Sequence, residues 1–226
     1  MRNSDQVRLV VFDCDGTLVD SQHNICAAMR ASFADSGINA PDDAAIRRIV
    51  GLSLVEAVNT LAPTVSSEES ISLQEGYKSN FMHLRQQPEY SEPLYPGIRE
   101  VLIELENEGF VLAVATGKTQ RGLRATLEHH GLRSAFMSLQ TADDAPGKPD
   151  PGMLEQAMAD TGATPDSTVM LGDTIFDMTM AQNAGVAGVG VSWGYHGIDE
   201  LRQSGAREII DRCEQLLTVA QRLTGS

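Results

Sequence analysis

The residue pattern best suited to chemistry stands near the start of the chain. Asp13 and Asp15 follow the apolar residues 9–12 and precede a glycine turn at Gly16. Because Asp and Gly are poor strand residues, a buried strand is predicted to end at these two acids. Two carboxylates two positions apart repel each other, and a bound cation is their simplest partner. The pattern therefore predicts a reaction centre at the end of a strand.

Further polar residues follow other apolar runs or precede predicted helices: Thr116 and Gly117 after residues 111–115, Lys148 before Pro149, Asp173 after residues 169–171, and Asp177. Each has an ordinary explanation when taken alone, such as a turn, a helix cap or a solvated loop lysine. In a parallel sheet, however, the carboxyl ends of neighbouring strands meet at one crevice. Several acids with one lysine and one hydroxyl at one place have no economical structural explanation.

The hydrophobic periodicity indicates which elements position these residues. Residues 21–92 show helical spacing only, whereas strands and helices alternate beyond Pro96. This order predicts an α/β fold with a doubly wound, Rossmann-like parallel sheet built from residues 1–20 and 93–226. Residues 21–92 are predicted to form a small all-helical cap domain inserted after the first strand.

Local signals place individual elements. Ser21 is predicted to cap the first helix, Ser53 and Glu56 form a capping-box pattern, and Asp150 is predicted to cap a helix that Pro151 begins. A longer helix is predicted over residues 67–85. Later strands are predicted at residues 111–115, 136–139, 169–171, 186–191 and 208–210.

Composition limits the classes of function. Of 226 residues, 42% are hydrophobic and 21% are charged, which is typical of a soluble globular protein. No run approaches the roughly 18 apolar residues of a membrane span, and residues 1–6 carry no apolar signal segment, so a cytoplasmic location is predicted. The three cysteines are too widely spaced for a Cys-x-x-Cys metal site and argue against a disulfide framework.

The formal net charge of −14 disfavours nucleic acid and anionic membranes as partners. It also repels a phosphorylated metabolite, so such a substrate needs a local positive site. The chain has only three lysines with which to build one: Lys78, Lys118 and Lys148.

The residue types suggest a reaction on phosphate. Asp13, Asp15 and Asp173 offer hard oxygen ligands, which suit Mg²⁺ better than zinc. With a metal ion neutralising a phosphate oxygen, a carboxylate can attack phosphorus and form an acyl phosphate. A second acid can protonate the leaving alcohol and later deprotonate water. A lysine, a hydroxyl and turn amides can hold the remaining phosphate oxygens.

As a set, these motifs resemble the haloacid dehalogenase superfamily, and most closely its phosphoglycolate phosphatase-like group with a helical cap. The resemblance covers nearly the whole chain. It implies that Asp13 is the nucleophile and a metal ligand, and that Asp15 is the general acid/base that gives its backbone carbonyl to Mg²⁺. Thr116 and Gly117 would bind phosphate, and Lys148 would balance the charge of the nucleophile and the phosphate. Asp173 and Asp177 would be metal ligands.

Two comparisons within the superfamily sharpen the subclass. Its haloacid dehalogenases lack the acid at the position of Asp15, so that acid favours phosphoryl transfer. Its phosphonate-cleaving members use a cap lysine, but Lys78 lies on the long helix and is predicted to be solvated. The segment with Arg47, Arg48 and Gly51 either faces the crevice and reads the leaving group or is an ordinary solvated helix.

The predicted function is therefore that of a Mg²⁺-dependent phosphatase that hydrolyses a small, phosphoglycolate-like phosphate monoester through a phospho-aspartate. The protein is expected to be a monomer or a homodimer. A sugar phosphomutase and a non-catalytic phosphate-binding protein are the alternatives.

Overall fold

The computed structural model describes residues 6–225, and residues 1–5 and 226 of the predicted core lie outside this range. The strands are β1 Arg8–Phe12, β2 Phe110–Thr116, β3 Ser138–Thr141, β4 Thr168–Gly172, β5 Ala187–Val191 and β6 Glu208–Ile210. The helices are α1 Gln22–Asp35, α2 Asp43–Arg48, α3 Leu54–Leu61, α4 Ser67–Arg85, α5 Ile98–Asn107, α6 Gln120–His129, α7 Gly152–Thr161, α8 Ile175–Asn183, α9 Ile198–Gln203 and α10 Leu216–Leu223.

Within residues 6–225, six strands form one parallel sheet in the order β3-β2-β1-β4-β5-β6. Phe12, at the end of β1, is in register with Val114 on one side and Leu171 on the other. The carboxyl ends of these three strands therefore lie side by side. The predicted α/β fold with a parallel sheet is confirmed.

Both faces of the sheet are covered, which explains the near-continuous apolar strands. Val10 and Phe12 of β1 pack in the cluster that contains residues of α5, α6 and α10. Leu9 and Val11 point the other way, into a cluster with residues of α7 and α8. This alternation follows from the two-residue period of a strand.

The predicted helical stretch contains α1 to α4, and these helices share an apolar cluster that includes Met29, Phe33, Ile46, Val58 and Leu73. The two chain segments that connect this stretch to the sheet run together. Asp20 N–H donates to the carbonyl of Pro93 at 2.8 Å, and Tyr95 N–H donates to that of Leu18 at 3.0 Å.

Several local predictions hold, and others need correction. The capping box of Ser53 and Glu56 is present at the start of α3. The strand predicted at 136–139 lies two residues later, because a 3₁₀ turn over Arg133–Ala135 precedes it and pairing with β2 starts only at Ser138. Pro151, not Asp150, is the N-cap residue of α7. The short helix α9 was not predicted.

We expect Leu73→Ala to destabilise the fold by about 2–5 kcal/mol, because Leu73 is fully buried in the helical cluster and its removal leaves a cavity. Ile71→Ala is the matched control on the same helix, since Ile71 is 55% exposed, and its expected effect is below about 0.5 kcal/mol. Urea unfolding measures both, and equal losses of stability would contradict the assigned packing.

Candidate active site

Asp13 and Asp15 lie where β1 ends beside β4. The N–H of Asp13 donates to the carbonyl of Leu171 at 2.9 Å, which fixes the start of the loop to the neighbouring strand. Cys14 between them is buried in the core. Gly16 turns the chain with φ of +82°, and a Cβ there would lie 2.3 Å from Asp173 Oδ2. Only glycine permits both this conformation and this close approach.

The Asp13 side chain is nearly fully buried, with 1% of its surface exposed. Its Oδ1 contacts Lys148 Nζ at 2.9 Å and accepts from the backbone N–H of Cys14 at 2.6 Å. Its Oδ2 has no hydrogen-bond partner within residues 6–225. Burial raises the pKa of Asp13 to about 7, against the lowering effect of Lys148.

Lys148 is completely buried and bridges two acids. Its Nζ lies 2.9 Å from Asp13 Oδ1 and 2.6 Å from Asp177 Oδ1. Burial by itself lowers the pKa of Lys148, but the attraction of the two carboxylates outweighs that effect and the pKa lies above its ordinary value. The lysine is therefore charged.

The other two acids are held at the start of α8. Thr17 Oγ1 donates to Asp173 Oδ1 at 2.9 Å, and the backbone N–H of Tyr195 donates to Oδ2 at 2.9 Å. Asp177 Oδ2 accepts from the N–H and the hydroxyl of Thr174, at 3.0 and 2.7 Å. Burial and the neighbouring carboxylates raise the pKa of Asp173 well above its ordinary value.

Carboxylate oxygens of Asp13, Asp173 and Asp177 lie within 4.8 Å of one another. One buried lysine, Lys148, pairs with two of these three acids, so the cluster carries excess negative charge when it is ionised. The unpaired Oδ2 of Asp13 and the all-oxygen donor set fit a hard divalent cation such as Mg²⁺.

The Asp15 carboxylate makes a separate set of contacts. Its Oδ1 contacts Lys118 Nζ at 2.8 Å and also accepts from the Ser21 hydroxyl. Ser21 was predicted as a helix cap, and it occupies the N-cap position of α1 without a side-chain capping bond. Its hydroxyl instead binds the buried acid, because a charged acceptor forms the stronger hydrogen bond.

Lys118 belongs to a charge network that the sequence did not reveal. Its Nζ also lies 3.4 Å from Glu92, a residue with 3% exposure that contacts Arg85 at 3.4 Å. Burial raises the pKa of Glu92, but Lys118 and Arg85 together bring it below its ordinary value. The signal available in the sequence was the position of Lys118, two residues after the strand that ends at Thr116.

Thr116 is buried at the end of β2, where its hydroxyl accepts from the N–H of Lys118 at 3.3 Å. Gly117 lies against the helical stretch. A Cβ on Gly117 would be 2.4 Å from the carbonyl oxygen of Leu52 and 2.9 Å from that of Gly51. The loop after α2 therefore reaches the sheet end.

The structure separates the candidate residues Arg47 and Arg48 of α2 from Gly51 of the loop that follows. Gly51 lines the same cavity as Asp13, Asp15, Thr116 and Gly117, whereas Arg47 does not. Arg48 points towards α9 and pairs with Glu200 at 2.6 Å. From this part of the chain the apolar residue Ile49 lines the cavity, and neither Arg47 nor Arg48 does.

This cavity has a volume of about 650 Å³. The lining residues outside the stretch 21–92 are Asp13, Asp15, Thr116, Gly117, Lys118, Thr119, Arg121, Gly122, Ala125 and Asp143. Residues 21–92 line it with Ile25, Met29, Ile49, Val50, Gly51, Leu52, Leu54, Ala57, Tyr77, Lys78, Phe81, Met82, Arg85 and Gln86. Lys78 is exposed, as predicted, but also lies on the cavity wall.

The raised pKa of Asp13 predicts how stability depends on pH without metal. The folded state holds this proton up to about pH 7, whereas the ordinary pKa is 3.8. The stabilisation that the Asp13 proton gives the folded state is therefore fully present below pH 3.8 and is lost as pH rises towards 7. In EDTA at pH 7.5, Asp13→Asn should therefore be more stable than the wild type, on the order of 1–4 kcal/mol. Urea unfolding at pH 7.5 measures this difference, and a destabilised variant would contradict the assigned charge.

Residues 10–191 match the family model described as haloacid dehalogenase-like hydrolase. The chain is 37% identical over 219 residues to "Probable phosphatase IndB" of Dickeya dadantii, covering 95% of this chain and 94% of that protein. It is 30% identical over 219 residues to a phosphoglycolate phosphatase of Vibrio vulnificus, covering 95% and 96%.

Solved structures share the fold. A hydrolase from Pseudomonas syringae superposes with a TM-score of 0.82 at 27% identity, covering 95% of this chain and 98% of that one. A haloacid dehalogenase-like family protein from Streptococcus pneumoniae gives 0.80 at 24% identity, covering 94% and 98%. The predicted enzyme class, a hydrolase that acts on phosphate esters, is confirmed, and the chain belongs to the family of haloacid dehalogenase-like hydrolases.

Proposed function

We propose that this chain is a Mg²⁺-dependent phosphatase that hydrolyses a small phosphorylated metabolite through a phospho-aspartate. The observation that carries the proposal is the state of Asp13. This carboxylate is buried at the cavity that the two parts of the chain enclose, its Oδ1 is held by Lys148, and its Oδ2 has no partner within residues 6–225. Lys148 thus fixes the orientation of this carboxylate, while its unpaired Oδ2 leaves the group open to the site, and a nucleophile at a metal site needs both.

In the first step, Asp13 attacks phosphorus, an acyl phosphate bond forms and the ester P–O bond breaks. Lys148 keeps Asp13 oriented and offers positive charge to the phosphoryl oxygens. The hydroxyl of Thr116 and the amide of Gly117, both at the cavity, hold the remaining oxygens.

Asp15 acts as the general acid and then as the general base. It donates one to the leaving alcohol in the first step and takes one from water in the second, when water attacks the acyl phosphate and releases inorganic phosphate. Lys118 and Ser21 hold the same oxygen of Asp15, so they position this acid for both transfers.

Asp13, Asp173 and Asp177 would hold the Mg²⁺, with the backbone carbonyl of Asp15 as the further ligand that the family resemblance implies. When bound, the ion neutralises charge on the phosphate oxygens and lets a carboxylate approach an anion. Thr17, Thr174 and the Tyr195 amide orient the acids through the hydrogen bonds described above.

The relatives support transfer to water. One is named as a probable phosphatase, another as a phosphoglycolate phosphatase, and a third, 26% identical, as pyrophosphatase PpaX of Oceanobacillus iheyensis. Release of free phosphate distinguishes this activity from that of a phosphomutase, which would yield an isomeric phosphate ester.

We further propose a cytoplasmic location and an assembly of one or two copies. The net charge of −14 supports the absence of nucleic-acid and anionic-membrane partners. No helix among residues 6–225 is both long and apolar enough to cross a bilayer.

The nucleophile is tested with p-nitrophenyl phosphate and Mg²⁺. Asp13→Asn should lower kcat by at least roughly 10³-fold, because the amide cannot form the acyl phosphate. Asp143→Asn is the matched control, since Asp143 lines the cavity but is exposed and outside the acidic cluster. EDTA should abolish wild-type turnover and Mg²⁺ restore it. Undiminished turnover by Asp13→Asn would refute the mechanism.

The role of Lys118 is tested separately. Lys118→Met should lower kcat by about 10–100-fold with a smaller change in KM, because Asp15 and Glu92 lose their shared cation. Lys78→Met removes a cavity lysine that makes no ion pair within residues 6–225, and its kcat should change less than about threefold. Equal effects on kcat would show that Lys118 does not position Asp15.

A further inference from the structure

The cavity over Asp13 is much larger than a phosphoryl group requires. Its volume of about 650 Å³ falls within the range of about 300–1,000 Å³ that accommodates drug-sized ligands. Phosphoglycolate, the ester of a two-carbon hydroxy acid, would leave most of this space unfilled. The size therefore indicates a larger leaving group.

The wall that α4 contributes is apolar and aromatic. Tyr77, Phe81 and Met82 all line the cavity. The rings of Tyr77 and Phe81 lie 5.8 Å apart at an angle of 49°. Met82 keeps 43% of its surface exposed. Exposed apolar and aromatic surface in a cavity wall is typical of a site that binds an apolar group.

Two contacts connect this wall to the charge network. The Lys118 Nζ and the Arg85 Cζ each lie 5.4 Å from the centroid of the Phe81 ring. The same two cations contact the acids: Lys118 pairs with Asp15 and Glu92, and Arg85 pairs with Glu92. The attraction between a cation and a ring face thus places Phe81 beside this network. The apolar wall is thus continuous with the site of chemistry.

Tyr77 adds one polar group to the wall. Burial raises the pKa of Tyr77 above its ordinary value, so its hydroxyl stays neutral. The hydroxyl makes no hydrogen bond to any other residue of the described range. It is available to a polar atom on the leaving group.

The charges near Asp13 do not favour a small acidic leaving group. Lys148 and Lys118 are both paired with acids already. The cavity cations without an ion pair among residues 6–225 are Lys78 and Arg121, and both are exposed. They suit the attraction of a phosphate ester to a protein of net charge −14 rather than recognition of a carboxylate beside phosphorus.

We infer, on the basis of the proposed phosphatase activity, that the substrates are phosphate monoesters whose leaving alcohol carries a bulky apolar or aromatic group. Tyr77, Phe81 and Met82 select this group, and it displaces water from the wall before the phosphoryl group is transferred.

The test compares phenethyl phosphate with ethyl phosphate, because their alcohols differ little in acidity and the comparison therefore reports on the cavity. For the wild type with Mg²⁺, kcat/KM for phenethyl phosphate should exceed that for ethyl phosphate by at least roughly tenfold. It should also exceed kcat/KM for phosphoglycolate. Equal or lower values for phenethyl phosphate would overturn the inference.

Variants locate the selectivity. Phe81→Ala should reduce the phenethyl-to-ethyl ratio to below about threefold, and Phe81→Leu provides a milder change should the first variant fold poorly. Met82→Ala should lower the ratio, whereas Met137→Ala should not, because Met137 is 64% exposed and lies outside the cavity. A ratio unchanged in both Phe81 variants would remove α4 as the selecting wall.

The outcomes separate this inference from the proposed function. Turnover of ethyl phosphate and phosphoglycolate without preference for the bulky ester would leave the phosphatase proposal intact and reject the substrate class. Loss of turnover in Asp13→Asn, together with the expected preference of the wild type for phenethyl phosphate over ethyl phosphate, supports both the proposed function and this inference. No turnover of any of the three esters by the wild type would reject the proposed function and this inference with it.

Discussion

The accumulation of buried negative charge at the end of the sheet is the constraint on which the rest of the site depends. Asp13, Asp173 and Asp177 bring their carboxylates within 4.8 Å of one another, and Lys148 is the buried cation that pairs with two of them. Charges buried in this way are costly unless they are paired and hydrogen-bonded. One oxygen, Asp13 Oδ2, is left without a partner within residues 6–225. The proposed metal ion would supply that partner and compensate the excess negative charge.

The fold supplies this arrangement through register and close approach. Parallel pairing aligns Phe12 with Leu171, so the acids after β1 and β4 emerge at the same level. Gly16 and Gly194 then permit the loops to approach Asp173 more closely than any side chain allows, since a Cβ at either position would lie within 2.3 Å of it. The proposed chemistry therefore rests on backbone positions as much as on the acids themselves.

The helical stretch contributes a second kind of constraint. Its loop meets the sheet end backbone to backbone at Gly117, while its long helix presents aromatic surface to the cavity. Glu92, in the connection back to the sheet, binds the lysine that holds Asp15. The part of the chain that covers the cavity thus also takes part in positioning the proposed general acid/base.

Much of this could be predicted from the sequence, because Asp and Gly after an apolar run end a strand whatever the rest of the chain does. The parallel fold followed from the alternation of periods. The short helix α9 gave no signal, since Leu201 is its only fully buried residue within six. Lys118 and Ser21 could not be assigned, because their partners depend on which side chains tertiary packing brings near. The cavity lining could not be predicted for the same reason: Arg47 and Ile49 are two residues apart, and only packing decides which of them lines the cavity.

The most direct test of the central claim is an anomalous difference map from crystals of the protein grown with Mn²⁺ as a substitute for Mg²⁺. The account predicts one strong peak among Asp13, Asp173 and Asp177, in contact with an oxygen of each or with water bound to it. Well-ordered carboxylates with no peak between them, at a Mn²⁺ concentration that supports turnover, would contradict it.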